Sequence, residues 1–328
     1  MSNPQGPGPE HETNSAFEIS ETDRAPLDAA ALRRGMAEAG MGELWISGHT
    51  GSTNDDLAAR AHGADLANLS VETTEHQMAG HGRLGRGWQT PARSALATSI
   101  YFRPGPGFDS SGLAWLSMLC AAAMVQTLRE DASLAAGLKW PNDVVAEGKK
   151  VCGVLAQLVM RPEGPVVVVG AGLNVSLTAA ELPVDTAGSL GMLGAATLDR
   201  TELLGGYLRR VAQLFGTFEA AGGNASGKAR YAMARETPKA GTPDAGSPDA
   251  GTASAEAPEA TLREVVRSVM VTIGQRVDAH LPNGTVLRGT AIDLDTDGSL
   301  KVREDEGTVH SVLAGDVTHL RRSDGSYA

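Results

Sequence analysis

Apolar and polar residues recur in two kinds of pattern over the first 235 positions, and these predict helices alternating with strands. Amphipathic or continuously apolar stretches predict helices over residues 26–39, 52–63, 113–128 and 201–220. Short apolar or alternating runs predict strands over residues 44–48, 66–76, 95–102 and 166–175. Residues 139–160 are interpreted as two more strands joined by a turn at Gly148.

Two of these helices carry further signals. Ser52 or Thr53 is the natural N-cap of the second helix, and Asp55 and Asp56 in its first turn favour the helix dipole. The third helix, over residues 113–128, contains the longest apolar stretch but is too short to span a bilayer. We therefore expect it to be a buried core helix.

Two segments contain no core-forming residues and divide the chain into domains. Residues 1–24 are polar and rich in Pro and Gly, with no apolar run of a signal peptide, which predicts a disordered tail. Residues 237–262 are dominated by Pro, Ala, Gly and Ser and contain the repeat AGTPD, AGSPD, which predicts a disordered linker insertion. We expect a first folded domain over residues 25–236 and a second over residues 263–323.

The second domain shows a different pattern, with short strands separated by turn sequences. These turns are Pro282-Asn283-Gly284, Asp297-Gly298 and Glu306-Gly307. Hairpin turns at this spacing indicate a small β-barrel. Residues 293–304, DLDTDGSLKVRE, also match every required position of an EF-hand calcium loop. Because the flanks are turns rather than helices, a β-turn is favoured, and a calcium-binding module is kept as an alternative.

Charge and cysteine content limit the classes of partner. The chain carries 28 Lys and Arg residues against 39 Asp and Glu residues, a net charge of −11. Such a protein has no general electrostatic attraction to nucleic acid or to an anionic membrane, so only a local basic patch could bind phosphate. Cys120 and Cys152 form no C-x-x-C pair, which suits a reducing compartment, and we expect a cytoplasmic protein.

One loop combines glycines with arginines. Glycines at the first, third and sixth positions of residues 80–88, GHGRLGRGW, satisfy the dinucleotide pattern G-x-G-x-x-G. A dinucleotide site needs a helix that begins within the glycines, and Pro91 with the strand after it opposes one. Two interpretations remain: a loop whose backbone and arginines, Arg83 and Arg86, bind an anion, or a surface hairpin with solvated arginines.

Three motifs follow this loop in order: KWPND at 139–143, GKKVCGVLAQ at 148–157 and GAGLN at 170–174. Together with STN at 52–54 and Gln77, they resemble the biotin–protein ligase, or biotin–[acetyl-CoA-carboxylase] ligase, family. The resemblance covers residues 26–235 and continues over residues 270–322. It implies an α+β fold, in which a mixed-sheet catalytic domain with helices mainly on one face precedes an SH3-like C-terminal β-barrel.

The resemblance also implies an activity and its residues. Members of this family activate the biotin carboxylate with ATP and Mg²⁺ as biotinyl-5′-AMP, and then transfer the biotinyl group to a lysine of a biotin carboxyl carrier protein. Two anions meet in the first step, so cations are needed where charge develops. The biotin-binding residues implied are Ser52, Thr53, Asn54, Gln77, His81, Gly82, Arg83 and Lys150. The ATP- or adenylate-binding residues implied are Arg83, Arg86, Trp88, Asn142 and Asn174. The catalytic residues implied are Arg83, Lys150 and Asp143.

Several of these assignments have plainer alternatives. The STND run can be a helix cap alone, Lys150 a solvated lysine, and Asp143 a turn residue rather than a contact of magnesium or of the acceptor lysine. No direct metal-ligand cluster is recognised. Trp140 is interpreted as a core residue, whereas Gly153 and Gly172 are expected to let the backbone approach the ligand.

The chain departs from the family pattern in one loop position. The family pattern is G-R-G-R-x-G-R, and His81 replaces the first arginine. Because imidazole is mostly neutral at pH 7, we expect adenylate retention to be weaker or more sensitive to pH. The segment before the first strand is too short for a winged helix, so we expect the family type that lacks the N-terminal DNA-binding domain. A lipoate–protein ligase of similar fold and an adaptor built on the C-terminal barrel are the remaining alternatives.

Overall fold

The computed structural model describes residues 19–234, 259–281, 283–314, 319–322 and 327. In chain order, its α-helices are α1 Ala29–Glu38, α2 Thr53–Gly63, α3 Leu116–Glu130, α4 Arg200–Ala220 and α5 Leu262–Ser268. The first nine strands are β1 Leu44–Ser47, β2 Val71–Thr74, β3 Gly80–His81, β4 Gly87–Trp88, β5 Ala95–Phe102, β6 Ala136–Lys139, β7 Asp143–Ala146, β8 Lys149–Arg161 and β9 Gly164–Asn174. The later strands are β10 Ala229–Arg230, β11 Glu259–Ala260, β12 Arg276–His280, β13 Val286–Leu294, β14 Leu300–Arg303, β15 Val309–Val312 and β16 His319–Arg322.

A seven-stranded sheet organises the larger part of the molecule, in the order β1-β2-β5-β9-β8-β7-β6. β1 and β2 run parallel and the other neighbouring pairs are antiparallel, so the sheet is mixed, as predicted. Because successive strand residues point to opposite faces, Ile100 and Phe102 join one core and Tyr101 joins another. α3 and α4 cover the first face, with α1 against α4, and α2 covers the second.

The face under α2 changes character along the strands. Val166 and Val168 of β9 pack with Leu57 of α2 in a small apolar cluster. The next two residues of β9 on the same face are Gly170 and Gly172. The loss of side chains at this end of the strands leaves a concave floor beside the N-terminus of α2.

The two helix signals are confirmed. Ser52 is the N-cap of α2, and its hydroxyl accepts a hydrogen bond from the N–H of Asp55 at 3.3 Å. The stretch Ser110–Glu130, which includes α3, is long and apolar enough to cross a membrane. In the fold, however, 78% of its most apolar part is buried. Its side chains form the centre of the main core, so it is the buried core helix expected from the sequence.

The region predicted as two strands over residues 139–160 contains β7 and β8 as expected, and only its first residue, Lys139, belongs to a further strand, β6. β6 ends at Lys139, and the chain turns before β7 begins because Pro141 has no backbone N–H to donate to a neighbouring strand. The predicted turn joins β7 to β8 at Glu147 and Gly148, which both have positive φ. The KWPND motif therefore lies at a hairpin turn at the end of the sheet.

For each of the two segments predicted to be disordered, the predicted boundary with the neighbouring domain is wrong. The N-terminal segment ends in a 3₁₀ turn, Glu21–Arg24, and the guanidinium of Arg24 donates to Glu181 at 2.8 Å. The linker segment ends in Glu259–Ala260, which pairs as β11 with β10, and α5 follows. An ion pair and a strand pairing hold these edges, and composition alone does not reveal such contacts. The rest of the predicted tail and linker lies outside the described residues, at 1–18 and 237–258.

The C-terminal strands form a five-stranded antiparallel sheet in the order β15-β14-β13-β12-β16. Its hairpin turns lie where the sequence predicts them, and Gly298 has a φ of +84°, a conformation that favours glycine. Trp140 joins this sheet to the larger one: its N–H donates to the Thr272 hydroxyl at 2.9 Å, and its indole Nε1 donates to the Gly298 carbonyl at 3.1 Å. Trp140 is 1% exposed, so it is the core residue expected.

Residues 293–304 form the turn between β13 and β14 and the strand ends beside it. This is a strand–turn–strand unit, whereas an EF-hand requires a helix on each side. Asp293 pairs with Arg263 at 2.5 Å, and Asp295 pairs with Lys301 at 3.3 Å. These carboxylates are already neutralised by cations, so the calcium-loop alternative is not supported.

Candidate active site

A cavity of about 750 Å³ opens on the α2 face of the large sheet, at the end where the strand residues are small. The residues predicted for the site all line this cavity: Ser52, Thr53, Asn54, Gln77, His81, Gly82, Arg83, Arg86, Trp88, Asn142, Asp143, Lys150 and Asn174. Positions separated by more than 120 residues along the chain are therefore brought to one place.

Strand register explains this convergence. Asp143 of β7 pairs with Gly153 of β8, and Gly153 pairs with Gly172 of β9. Gly172 in turn pairs with Ala97 of β5. The next row on the same face contains Gly170, roughly 7 Å further along the strands. These small residues form the cavity floor, and the longer side chains around them form its walls.

The N-terminus of α2 contributes a buried and uncharged network. Thr53 donates its N–H to Oε1 of Gln77 at 3.0 Å, and its hydroxyl lies 2.8 Å from that of Ser99. The Ser99 hydroxyl also lies 2.6 Å from Asn54 Oδ1, and the Asn54 amide donates to the Leu155 carbonyl at 3.3 Å. These polar side chains are all less than a tenth exposed. Such a network suits a neutral ligand group that both donates and accepts hydrogen bonds.

The glycine-rich loop is a short hairpin in which β3 pairs with β4. Arg83 at its tip is directed inwards, with Nη1 3.4 Å from Oδ1 of Asn142 and Nη2 donating to the Ala314 carbonyl. The loop is therefore a hairpin, as one interpretation held, but its first arginine is half-buried in the cavity rather than solvated. The second arginine, Arg86, also lines the cavity.

His81 occupies the exposed rim of this hairpin. Its Nε2 lies 3.2 Å from Oδ2 of Asp55 in the first turn of α2, and both side chains are more than half exposed. An exposed pair of this kind contributes little to stability. It does, however, place a polar contact between the loop and the helix that carries the uncharged network.

Cations dominate the other part of the cavity. Its charged lining residues in the described part of the chain are Arg83, Arg86, Lys139, Lys150, Arg321 and Asp143, five cations and one carboxylate. This excess stands against a net charge of −11 for the whole chain. Lys150 Nζ lies 2.6 Å from Oδ1 of Asp143, and the Tyr327 hydroxyl donates to Oδ2 at 2.5 Å. The cavity therefore provides the local basic patch that the acidic composition left open.

Burial perturbs two of these cations. Desolvation lowers the pKa of the Lys139 ammonium from 10.5 to about 8, although the negative charge of Asp143 opposes the shift. Burial also lowers the pKa of the Arg83 guanidinium, again partly offset by Asp143. Arginine nevertheless stays charged at physiological pH. One carboxylate does not neutralise this group of cations, so an entering polyanion would be stabilised.

Two glycines of the floor make room for side chains. A Cβ at Gly172 would lie 2.7 Å from the indole of Trp88, and one at Gly153 would lie 3.2 Å from Lys150 Nζ. Both glycines also line the cavity, so they make room for Trp88 and Lys150, and their close approach to a ligand stays a prediction. The indole forms a flat apolar wall next to the cations.

Two asparagine side chains are held by backbone carbonyls. Asn142 donates its amide to the Val154 carbonyl at 2.7 Å, and Asn174 donates to the Gly188 carbonyl at 2.9 Å. These bonds fix the orientation of both amides, so that each presents its oxygen in a defined direction.

Four residues of the site are not among those predicted: Ser99, Lys139, Arg321 and Tyr327. Lys139 could have been predicted, because it is the first residue of the KWPND motif. In the structure it pairs with Asp143 across the β6–β7 hairpin. Ser99 lies in an apolar strand, and nothing in its neighbours marks it. Tyr327 and Asp143 are 184 positions apart, so no local sequence pattern links them.

Comparison with known proteins identifies the family. The biotin–[acetyl-CoA-carboxylase] ligase of Mycobacterium tuberculosis is 35% identical over 304 residues, which are 91% of this chain and 97% of that protein. The chain belongs to the biotin protein ligase family. A sequence model of the Biotin/lipoate A/B protein ligase family matches residues 49–174 of this ligase, and one of the Biotin protein ligase C terminal domain matches residues 272–320.

Other relatives agree with this assignment. The bifunctional ligase/repressor BirA of Escherichia coli is 30% identical over 173 residues, 52% of this chain and 53% of that protein. The structure of biotin protein ligase from Aquifex aeolicus in complex with biotin and ATP superposes with a TM-score of 0.62 at 23% identity, covering 86% of this chain and 99% of that chain. The predicted α+β fold, with its mixed sheet and SH3-like C-terminal domain, is confirmed.

Proposed function

We propose that this chain attaches biotin to a protein in two steps. A carboxylate oxygen of biotin attacks the α-phosphorus of ATP, and pyrophosphate leaves, which gives biotinyl-5′-AMP. The amine of an acceptor lysine then attacks the acyl carbon, and AMP and a proton are released as the amide forms. The observation that carries this proposal is one cavity that joins a neutral polar network to five cations, in a chain of the biotin protein ligase family.

The neutral network suits the ureido ring of biotin. This ring donates through two N–H groups and accepts through one carbonyl, and it carries no charge. Thr53, Asn54 and Gln77 offer both donors and acceptors, and Ser52 lines the same wall. A site built from such groups rejects analogues that leave its buried polar atoms unpaired.

The cations suit the acyl-phosphate junction. The carboxylate and the α-phosphate repel each other as they approach, and fixed positive charges lower that barrier. Lys150 is positioned by Asp143, and Arg83 is held by Asn142 and Ala314, so both are oriented before the substrates arrive. Removing one such preorganised donor typically costs about 10²–10³ in rate.

The remaining groups suit the nucleotide. Trp88 offers a flat indole on which adenine can stack, and Asn142 and Asn174 offer amide oxygens held in place by the backbone. Arg86 adds charge at the hairpin. Of these roles, the stacking by Trp88 depends most on Gly172, because that glycine makes the space for the indole.

Magnesium is expected to enter with ATP. Mg²⁺ usually binds one or two carboxylates together with substrate phosphates, and Asp143 is the carboxylate among the described lining residues. When bound, the ion neutralises charge on the departing pyrophosphate. Lys150 and Tyr327 already contact both oxygens of Asp143, which favours positioning of Lys150 as its main task.

The acceptor we propose is a biotin carboxyl carrier domain of a biotin-dependent carboxylase, with no nucleic-acid or membrane partner. We place the protein in the cytoplasm, because Cys120 and Cys152 are free and fully buried. Burial raises the pKa of both thiols to about 12, so neither is a reactive nucleophile.

Pyrophosphate exchange into ATP tests the proposal. We expect exchange that requires biotin and Mg²⁺ and that lipoate does not support. Addition of a carrier domain should then consume the adenylate, whereas a carrier whose acceptor lysine is replaced by arginine should not. Exchange with lipoate alone would favour the lipoate ligase, and no exchange with either acid would contradict the proposal.

A further inference from the structure

The penultimate residue of the chain, Tyr327, lies inside the cavity described above. Its hydroxyl donates to Oδ2 of Asp143 at 2.5 Å. Its ring centroid lies 3.3 Å from Nζ of Lys139 and 5.5 Å from the guanidinium carbon of Arg321. A single aromatic side chain therefore contacts the one carboxylate and two of the cations among the described lining residues.

The hydroxyl completes the coordination of Asp143. Lys150 Nζ approaches Oδ1 at 2.6 Å, and Tyr327 approaches Oδ2 from the other side. Oδ1 is thus held by the charge of Lys150 alone and has no hydrogen-bond donor among the described residues, so the hydroxyl of Tyr327 supplies the directional contact that fixes the carboxylate plane. Gly153, which pairs with Asp143 in the sheet, leaves room for the Lys150 side chain, and the ion pair with Asp143 places the ammonium there.

The ring completes the cover over Lys139. An ammonium above an aromatic face is stabilised by the ring quadrupole, most strongly where water is excluded. Lys139 is only 7% exposed, and Tyr327 is one of the groups that exclude water from it. Burial beside Asp143 also raises the pKa of Tyr327 far above its ordinary value, so its hydroxyl remains a donor at neutral and moderately alkaline pH.

We propose that Tyr327 is a positioning residue of the ligase, which holds Asp143 and, through it, Lys150 in the geometry needed for biotin activation, while its ring shields Lys139. This inference rests on the proposed function. It gives a residue that follows the C-terminal sheet in sequence a direct part in positioning groups on β6 and β7.

The first test is a double-mutant cycle in the full-length chain, read as biotin-dependent pyrophosphate exchange. Tyr327→Phe removes the hydroxyl and keeps the ring. We expect about a tenfold lower kcat with the KM for biotin changed less than twofold. In an Asp143→Asn background the same change should have less than a twofold effect, because its partner is already lost. If Asp143→Asn abolishes exchange, Asp143→Ser, which also removes the carboxylate, replaces it in the cycle.

Tyr231→Phe is the matched control, since it also removes a buried hydroxyl but one outside the cavity. An effect of Tyr327→Phe no larger than that of the control would overturn the proposal, as would effects that multiply with those of Asp143→Asn. A faster rate in Tyr327→Phe would also overturn it, because the tyrosine would then obstruct the site.

The second test does not depend on activity. Lys139 is modified with acetic anhydride at pH 8, and the rate at that residue is read by peptide mass spectrometry. We expect Tyr327→Ala to raise the rate at least fivefold and Tyr327→Phe to leave it within twofold. Equal rates in all three proteins would mean that the ring does not cover Lys139 in solution. A wild-type chain without exchange would contradict the proposed function, while this labelling would still report whether Tyr327 occupies its position.

Discussion

Replacing Lys139 by methionine should make the protein more stable and less active. Lys139 ends β6, and its ammonium is buried in the cavity, where Asp143 is its nearest carboxylate along the β6–β7 hairpin. Methionine has a similar length and no charge, so it can occupy the same space without the cost of burying an ammonium. A residue retained at a cost to folding is expected where its charge serves a ligand.

The magnitude follows from the pKa. A fall from 10.5 to about 8 means that the folded chain binds this proton more weakly than the unfolded chain does. At about 1.36 kcal/mol per pKa unit, the fall corresponds to a cost of about 3 kcal/mol when the ammonium is charged in both states. The contact with the Tyr327 ring favours the charged form, so its contribution is already contained in this pKa. We therefore expect a gain of about 3 kcal/mol at pH 6.5.

The gain should depend on pH in a defined direction. Between pH 8 and 10.5 the unfolded chain keeps the Lys139 proton and the folded chain releases it, so unfolding takes up a proton. The free energy of unfolding of the wild type then rises with pH relative to that of the variant. The advantage of Lys139→Met is largest below pH 8 and disappears towards pH 10.

Urea unfolding of both proteins at pH 6.5, 8 and 10 measures this difference, and pyrophosphate exchange measures the loss of activity. The variant keeps two other cations of the cavity, Lys150 and Arg86, so any loss of exchange reports on the charge at position 139. A variant less stable than wild type at pH 6.5, or a difference independent of pH, would refute the reasoning. Unchanged exchange would show that the charge at this position does not serve the reaction.

Three further outcomes follow from the same structure. His81→Arg should slow the release of biotinyl-5′-AMP several-fold, because arginine adds a permanent positive charge at the rim of the hairpin. Equal release from both proteins would argue against it. Gly172→Ala should raise the KM for ATP at least tenfold, because the added methyl group displaces Trp88. Gly216→Ala is the control, since no atom lies within 4 Å of its added methyl group. Similar KM values in both variants would contradict the role of the indole. Calorimetric titration with calcium should give no binding heat from residues 293–304, and micromolar affinity would reverse that conclusion.

Local chemistry made much of the fold predictable. The Ser52 cap and the acidic first turn mark α2, and the glycine at 148 marks a turn that needs positive φ. Such signals act within four or five residues, so they survive without knowledge of the tertiary structure. The predictions fail where longer-range contacts decide, as at Arg24, which is held by an ion pair with Glu181.

The residues of the site also fall into those that the sequence predicts and those that it does not. Residues that belong to compact motifs, such as the arginines of the hairpin and Asp143 of KWPND, could be found from the sequence. Ser99 could not, because its role comes from the register between β5 and β9 and from the position of α2 above them. Tyr327 could not either, because its partner Asp143 lies 184 positions away and nothing near Tyr327 in the sequence marks the contact. The individual roles of the motif residues stay predictions.

The central claim is that cations at 83 and 150 act together where the biotin carboxylate meets the α-phosphate. Biotin-dependent pyrophosphate exchange of the double variant Arg83→Met, Lys150→Met tests it most directly. The matched control is Arg288→Met, which removes an exposed arginine paired with Asp278 on the C-terminal sheet. The account predicts a loss of at least about 10³-fold in the double variant and wild-type exchange in the control. Exchange at the wild-type rate in the double variant would contradict it.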